Sequence, residues 1–140
     1  MLKKLFKKKN KIPNNENILI IALLVHAAKI DENYTDSEKE IIKRVIIQLN
    51  KVNLEESEKL LKLAEKKEEE SNQIVEFTKE VKKYSMEFRL KIIEIIWKIV
   101  YSDGASDNYE SNLMRRICGL LYISDKDNGI IKTKVQDLPK

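Results

Sequence analysis

The chain has 140 residues, of which 42% are hydrophobic but only 6% aromatic, and it contains three glycines and two prolines. Such a composition favours helices over sheets and suits a single compact domain. The lone cysteine, Cys118, excludes an intramolecular disulfide, so nothing argues for an oxidising compartment and we expect a cytoplasmic protein.

Positive charge is concentrated at the start of the chain. The net charge is +4, but six lysines precede the first acidic residue, Glu16, which leaves 21 basic against 23 acidic residues, or −2, on the remainder. We therefore predict a basic N-terminal tail over residues 1–16 and a helical domain over residues 17–136. A nucleic-acid face needs basic residues clustered on the folded body, and we find no such cluster, so no nucleic acid partner is predicted.

Three apolar residues, Leu2, Leu5 and Phe6, follow helical spacing among those lysines. Basic amphipathic segments of this kind lie on anionic membrane surfaces. The alternative is a solvated terminus, and the sequence leaves both open. No apolar run approaches the roughly 20 residues that a transmembrane helix needs.

The first predicted helix covers residues 17–30 and is apolar on nearly every side, which indicates a buried element. Thr35 and Glu38 form a capping box that opens the second helix. Asn53 opens a third helix, whose far end, residues 65–70, is a run of charges that we interpret as a solvated face.

The second half continues in helices. Apolar spacing over residues 74–84 predicts a fourth helix, and Ser85 caps a fifth. Asp107 with Glu110 supplies the start of a sixth, and Ser124 starts a short last one. No stretch alternates between apolar and polar residues as a strand would. The predicted fold is therefore all-α, a compact bundle of about seven helices.

An internal duplication relates the two halves. Asp31 and Glu38 recur as Asp103 and Glu110, both at a shift of 72 residues. The apolar positions on either side repeat at the same shift: Leu23, Leu24, Ala27 and Ala28 correspond to Ile95, Ile96, Ile99 and Val100, and Ile41, Ile42, Val45, Ile46 and Leu49 correspond to Leu113, Met114, Ile117, Cys118 and Leu121. A repeat longer than one helix indicates a supersecondary unit. We predict two pseudo-symmetric helix-loop-helix repeats, with both acidic loops on the same side of the bundle.

The four repeated acids form the candidate site. Asp31 and Asp103 each stand where a helix ends, and the helix dipole there disfavours a carboxylate by about 0.3–1 kcal/mol. Glu38 and Glu110 occupy the third position of the following helices and point back toward the loops if they act as capping-box glutamates. Carboxylate and carbonyl oxygens are the ligands of Ca²⁺ and Mg²⁺. The four acids predict a divalent-cation site, with Ca²⁺ or Mg²⁺ favoured over Zn²⁺ because no histidine and cysteine cluster accompanies them.

A purely structural role for these acids is the alternative, since Asp is a common turn residue and Glu a common cap. An EF-hand is excluded. The position of its bidentate glutamate is Ile42 in the first copy and Met114 in the second.

The residues around the two loops resemble a known family. Ala27-Ala28-Lys29-Ile30-Asp31 is followed by Thr35-Asp36-Ser37-Glu38, and Tyr101-Ser102-Asp103-Gly104 is followed by Tyr109-Glu110. This pattern is similar to that of the tellurite-resistance TerB family, and the similarity extends from about residue 18 to residue 127. The resemblance implies a seven-helix bundle with an acidic, metal-binding surface. It also implies a link to tellurite resistance and stress response at the inner face of the inner membrane.

The first loop departs from the family pattern. It has Glu32 where the second loop has Gly104, and the family prefers glycine after the aspartate. Glycine permits a positive φ at little cost, whereas glutamate does not, so the second half-site fits the pattern better than the first. Tellurite itself is an oxyanion that a carboxylate cluster repels, so the family name describes a phenotype and not a ligand.

Catalysis finds no support in the sequence. No glycine-rich phosphate loop, nucleophile elbow or histidine-based acid–base pair is present, so we do not predict an enzyme. We interpret His26 as a structural histidine and Cys118 as a small buried hydrophobic residue. Two hypotheses stay open. One is a cation-binding domain docked near the inner membrane, and the other is a metal-free helical module that binds a protein partner.

Overall fold

Seven α-helices and one short 3₁₀ helix make up the part of the chain that the computed structural model describes, which is residues 15–30, 34–71, 73–103 and 108–138. No strand occurs among these residues, which confirms the predicted all-α fold. The helices are α1 (Asn15–Ala28), α2 (Asp36–Asn50), α3 (Leu54–Glu70), α4 (Val75–Val81), α5 (Met86–Val100), α6 (Asn108–Leu120) and α7 (Asp125–Gln136), and the 3₁₀ helix Tyr101–Asp103 follows α5 directly.

Helix α1 lies at the centre because its side chains are apolar on every side. Residues 20–25 have no exposed surface. The helix contacts α2, α3, α4 and α5. It begins and ends two residues earlier than the predicted range of 17–30. At its start the Asn17 amide donates to the Asn50 amide oxygen across 3.0 Å, so a buried hydrogen bond joins α1 to the end of α2.

Side-chain caps open the helices where the sequence predicted them. Asn53, Ser85 and Ser124 each accept a hydrogen bond from the backbone N–H three residues later, at 2.8, 3.2 and 3.1 Å. Each cap satisfies one of the N–H groups that the first helical turn leaves without a partner. The predicted cap at Asp107 lies outside the described residues.

Helix α5 is the second deeply buried element. Trp97 is fully buried, its indole N–H donates to Asn128 of α7 at 2.9 Å, and its ring stacks on Tyr101 with centroids 5.5 Å apart. The Arg89 guanidinium donates to the carbonyl oxygens of Tyr84 and Leu121, which joins the start of α5 to the end of α6.

The helix pairings can be compared with the predicted repeat. Helix α1 packs on α3, α5 packs on α7, and α1 and α5 contact each other. Each half therefore consists of a buried helix covered by helices that come later in the same half. The pseudo-two-fold relation between the halves stays a prediction.

Candidate functional site

Glu38 is the one predicted site residue whose side chain the structure describes. Its backbone N–H donates to Thr35 Oγ1 at 3.1 Å, and its Oε1 accepts the Thr35 backbone N–H at 2.7 Å. Both bonds of the predicted capping box are therefore formed. The residue is only 2% exposed. Its carboxylate points back from α2 toward the first acidic loop, as the sequence predicted.

The other three predicted ligands fall wholly or partly outside the described residues. Asp31 is not one of the described residues, and for Asp103 and Glu110 only the backbone is described. Their backbones lie in the 3₁₀ helix and in the first turn of α6, respectively. The 3₁₀ helix that carries Asp103 contacts α2, the helix that Glu38 caps. Convergence of the four acids stays a prediction.

Acidic residues of α3 approach the first loop from a second direction. The Tyr34 hydroxyl donates to Glu65 Oε2 at 2.7 Å. Burial raises the pKa of Tyr34 well above its usual range, and the hydrogen bond to Glu65 and the negative charges of Glu65, Glu38 and Glu68 raise it further. Three carboxylates from two helices thus lie around the residue that follows the loop.

Glu68 joins the end of α3 to the end of α1. Its Oε1 accepts from the Lys29 ammonium at 2.9 Å, and its Oε2 lies 3.1 Å from His26 Nδ1. An ionised carboxylate can only accept, so Nδ1 carries the proton in this contact. The Glu68 side chain is 12% exposed, and those of His26 and Lys29 are each 31% exposed. His26 is therefore hydrogen-bonded, as expected of a structural histidine, but its side chain is only partly buried.

The interpretation of residues 65–70 as a solvated face was wrong for two of its members. Glu69 and Glu70 are exposed, but Glu65 and Glu68 are partly buried and hydrogen-bonded. The spacing of residues along α3 could have predicted the partial burial of Glu68. Glu68 lies four residues after the buried Ala64, so it continues the apolar stripe of α3.

The acids near the first loop are only partly neutralised. The Lys29 ammonium compensates Glu68, which also contacts His26, whereas Glu65 accepts a hydrogen bond from the Tyr34 hydroxyl. Among the residues that the structure describes, no group of three histidine, cysteine or acidic side chains has an arrangement that could hold a metal ion.

Cys118 is buried at 1% exposure, as predicted for a small hydrophobic residue. Burial raises the pKa of its thiol to about 12, with a further contribution from the negative charge of Asp125. A thiol with so high a pKa is almost wholly protonated near neutral pH, which makes it a poor nucleophile and metal ligand.

The geometry defines an all-helical bundle domain with carboxylates placed at the loop between a buried first helix and a capped second one. The model of the family described as "Tellurite resistance protein TerB" matches residues 17–133. The chain belongs to this family, which confirms the resemblance seen in the sequence. No curated protein and no solved structure matches the chain significantly. None of the helices in the described ranges has the length and apolar character to cross a membrane.

Proposed function

We propose that this TerB domain binds a divalent cation, Ca²⁺ or Mg²⁺, at the loops ahead of α2 and α6. The ligands are Asp31, Glu38, Asp103 and Glu110. The observation that carries this proposal is the nearly complete burial of the Glu38 carboxylate, which faces back toward the first loop, with Glu65 and Glu68 gathered near the same loop. Hard cations take oxygen ligands from such carboxylates.

The capping role of Glu38 is compatible with a cation. A carboxylate has about four lone-pair positions on two oxygens, so a capping bond and a metal bond can share the group. Carboxylates that are brought close together destabilise one another when all are ionised. A bound divalent cation relieves this repulsion, and for that reason the ion stabilises the fold as well as occupying the site.

Thermal unfolding of the chelator-treated protein with added Ca²⁺, Mg²⁺, Mn²⁺ or Zn²⁺ tests the proposal. At a hundredfold excess over Kd, the bound ion raises the free energy of unfolding by about 2.7 kcal/mol. Asp103→Asn should abolish the rise in Tm and leave the ion-free protein as stable or slightly more stable. Asp137→Asn, at an exposed position after α7, is the matched control and should keep the full response. A Tm that no divalent ion changes would contradict the proposal.

A metal-free interaction module is the second candidate. Two observations favour it: Thr35 and Glu38 satisfy each other in a complete capping box, and Glu68 is already paired with the Lys29 ammonium. Glu38→Gln separates the two functions, because glutamine also serves in a capping box. If Glu38 is only a cap, this change is nearly neutral under every condition. If Glu38 binds the ion, the change removes the response of Tm to the ion.

We further propose that the domain has no catalytic activity and acts in tellurite resistance or stress response with a protein partner at the inner face of the inner membrane. Membership of the TerB family supports the lack of catalysis, because it is not known as a family of enzymes, and the description of the family supports the role in tellurite resistance. The lysines and apolar residues of the basic N-terminal tail support contact with anionic lipid. Residues 1–14 lie outside the described residues, so this contact is argued from their sequence.

A further inference from the structure

A basic groove lies between α4 and α6, away from the acidic loops in the sequence. The cleft has a volume of about 340 Å³ and is lined by Val75, Thr78, Lys79, Lys82, Lys83 and Leu120. Three of the six lining side chains are cationic and none is acidic. Val75, Leu120 and the buried Thr78 supply the less polar part of the lining. The groove thus combines an apolar surface with an excess of positive charge.

Among the residues that the structure describes, two of the three lysines have no acidic partner. Lys83 Nζ lies 3.1 Å from Glu80 Oε1, but Lys79 and Lys82 form no ion pair with any carboxylate of the described residues. Lys82 instead places its ammonium 4.9 Å from the centre of the Tyr122 ring. These charges remain available to an occupant of the groove, which must therefore be anionic.

Tyr122, whose ring meets Lys82, has an unusual combination of properties. It follows α6 with φ 59° and is 69% exposed. The Ile123 N–H donates to the Cys118 carbonyl at 2.9 Å and the Tyr122 N–H to the Gly119 carbonyl at 3.3 Å, the two bonds of a Schellman motif. Glycine is the favoured residue at the position of Tyr122 in this motif. An exposed tyrosine at this position is better explained by binding than by folding, since tyrosine is enriched in the centres of protein interfaces.

We propose that this groove binds an acidic peptide segment of a partner protein, with one apolar side chain of the segment between Val75 and Leu120 and its carboxylates on Lys79 and Lys82. The basic N-terminal tail of this chain carries the wrong charge to occupy the groove. A membrane is also a poor occupant, because surface-binding segments insert apolar side chains that project from the protein. Here the apolar atoms line a cleft between lysines.

Selection of a phage-displayed library of random peptides on the immobilised full chain tests the proposal without a known partner. Enriched peptides should carry Asp or Glu on either side of one apolar residue. The double variant Lys79→Glu with Lys82→Glu should bind them at least about tenfold more weakly, because each ammonium is replaced by a repelling charge. Binding to the unmodified chain should weaken with rising salt.

Two further variants separate binding from folding and from net charge. Lys59→Glu with Lys62→Glu, at two exposed lysines of α3, makes the same change in charge away from the groove and should leave peptide binding intact. Tyr122→Gly should keep or raise Tm, because glycine accepts the left-handed conformation, but it should weaken peptide binding. If Tyr122→Gly leaves peptide binding unchanged, Tyr122 is not part of the binding site.

Three results would overturn the proposal. The first is a selection that enriches no peptides or enriches peptides that are not acidic. Equal binding of the enriched peptides to the groove variant and to the α3 control counts as the same result. The second is a loss of binding to phosphatidylglycerol vesicles in the groove variant that exceeds its loss of peptide binding, which would make the groove a lipid contact. The third is self-association of the chain that the groove variant abolishes, since the occupant would then be a second copy.

Discussion

The ion pair between Lys29 and Glu68 should stabilise the fold more than an ordinary surface pair. At 2.9 Å and an effective dielectric constant of about 20, the direct attraction of two unit charges is roughly 6 kcal/mol. Desolvation of Glu68 and solvent screening at the 31% exposed Lys29 offset most of this attraction. Exposed pairs contribute about 0.2–1 kcal/mol and hydrogen bonds to charged groups about 1.5–3 kcal/mol. We expect a coupling energy of about 1–2 kcal/mol between the two side chains.

Urea unfolding of Lys29→Met, Glu68→Gln and the double variant measures this coupling as a double-mutant cycle. Lys29→Met should be the more harmful single change, because among the described residues it leaves the partly buried Glu68 carboxylate with only His26 as a side-chain partner. The pair of Lys43 and Glu40, at 2.9 Å and three residues apart on α2, is the control because the Glu40 side chain is 53% exposed. Its coupling should be about 0.2–0.5 kcal/mol. A Lys29–Glu68 coupling no larger than that of the control would refute the view that Glu68 holds α1 and α3 together.

Two other predictions concern Cys118 and the basic N-terminal tail. Burial raises the pKa of Cys118 from 9.0 to about 12, so the thiol of the unfolded chain ionises first and the free energy of unfolding should fall as pH rises from about 9 to about 12. Cys118→Ala should lack this part of the pH dependence in urea unfolding, and an unchanged profile would show that the thiol ionises equally in both states. Removal of residues 1–11 should reduce co-sedimentation with anionic vesicles, since each lysine near the surface contributes about 1 kcal/mol, and added salt should reduce the binding of the full chain. Equal sedimentation of the truncated chain would exclude the tail as the lipid contact.

Features that depend on neighbouring residues were predictable from the sequence. The capping box of Thr35 and Glu38 needs only two side chains three residues apart, and the caps at Ser85 and Ser124 are equally local. The burial of α1 followed from its lack of a polar face. Its boundaries were off by two residues because the helix end depends on where the loop turns, which the apolar pattern does not specify.

Features that depend on contacts between distant residues were not predictable in the same way. Glu68 meets Lys29 and His26 across 39 and 42 residues, and Glu65 meets Tyr34 across 31. In the sequence, Glu65 and Glu68 both belong to the charged run of residues 65–70, and runs of this kind are usually exposed to solvent. The basic groove depends on the packing of α4 against α6, so its lysines looked like ordinary surface charges until the helices were paired.

Side-chain bonds from α3 flank the first acidic loop, and the length of that helix explains why. Helix α3 continues to Glu70, whereas α7, its counterpart in the predicted repeat, ends at Gln136, which the shift of 72 residues aligns with Ala64. Only the longer α3 therefore extends to the positions of Glu65 and Glu68, which bond to Tyr34, Lys29 and His26 on either side of the first loop. The first loop has Glu32 where the second has the more permissive Gly104. Side-chain bonds from α3 thus hold the ends of the loop that lacks the glycine. Loss of Glu68 should therefore disturb the proposed half-site of Asp31 and Glu38 more than the proposed half-site of Asp103 and Glu110.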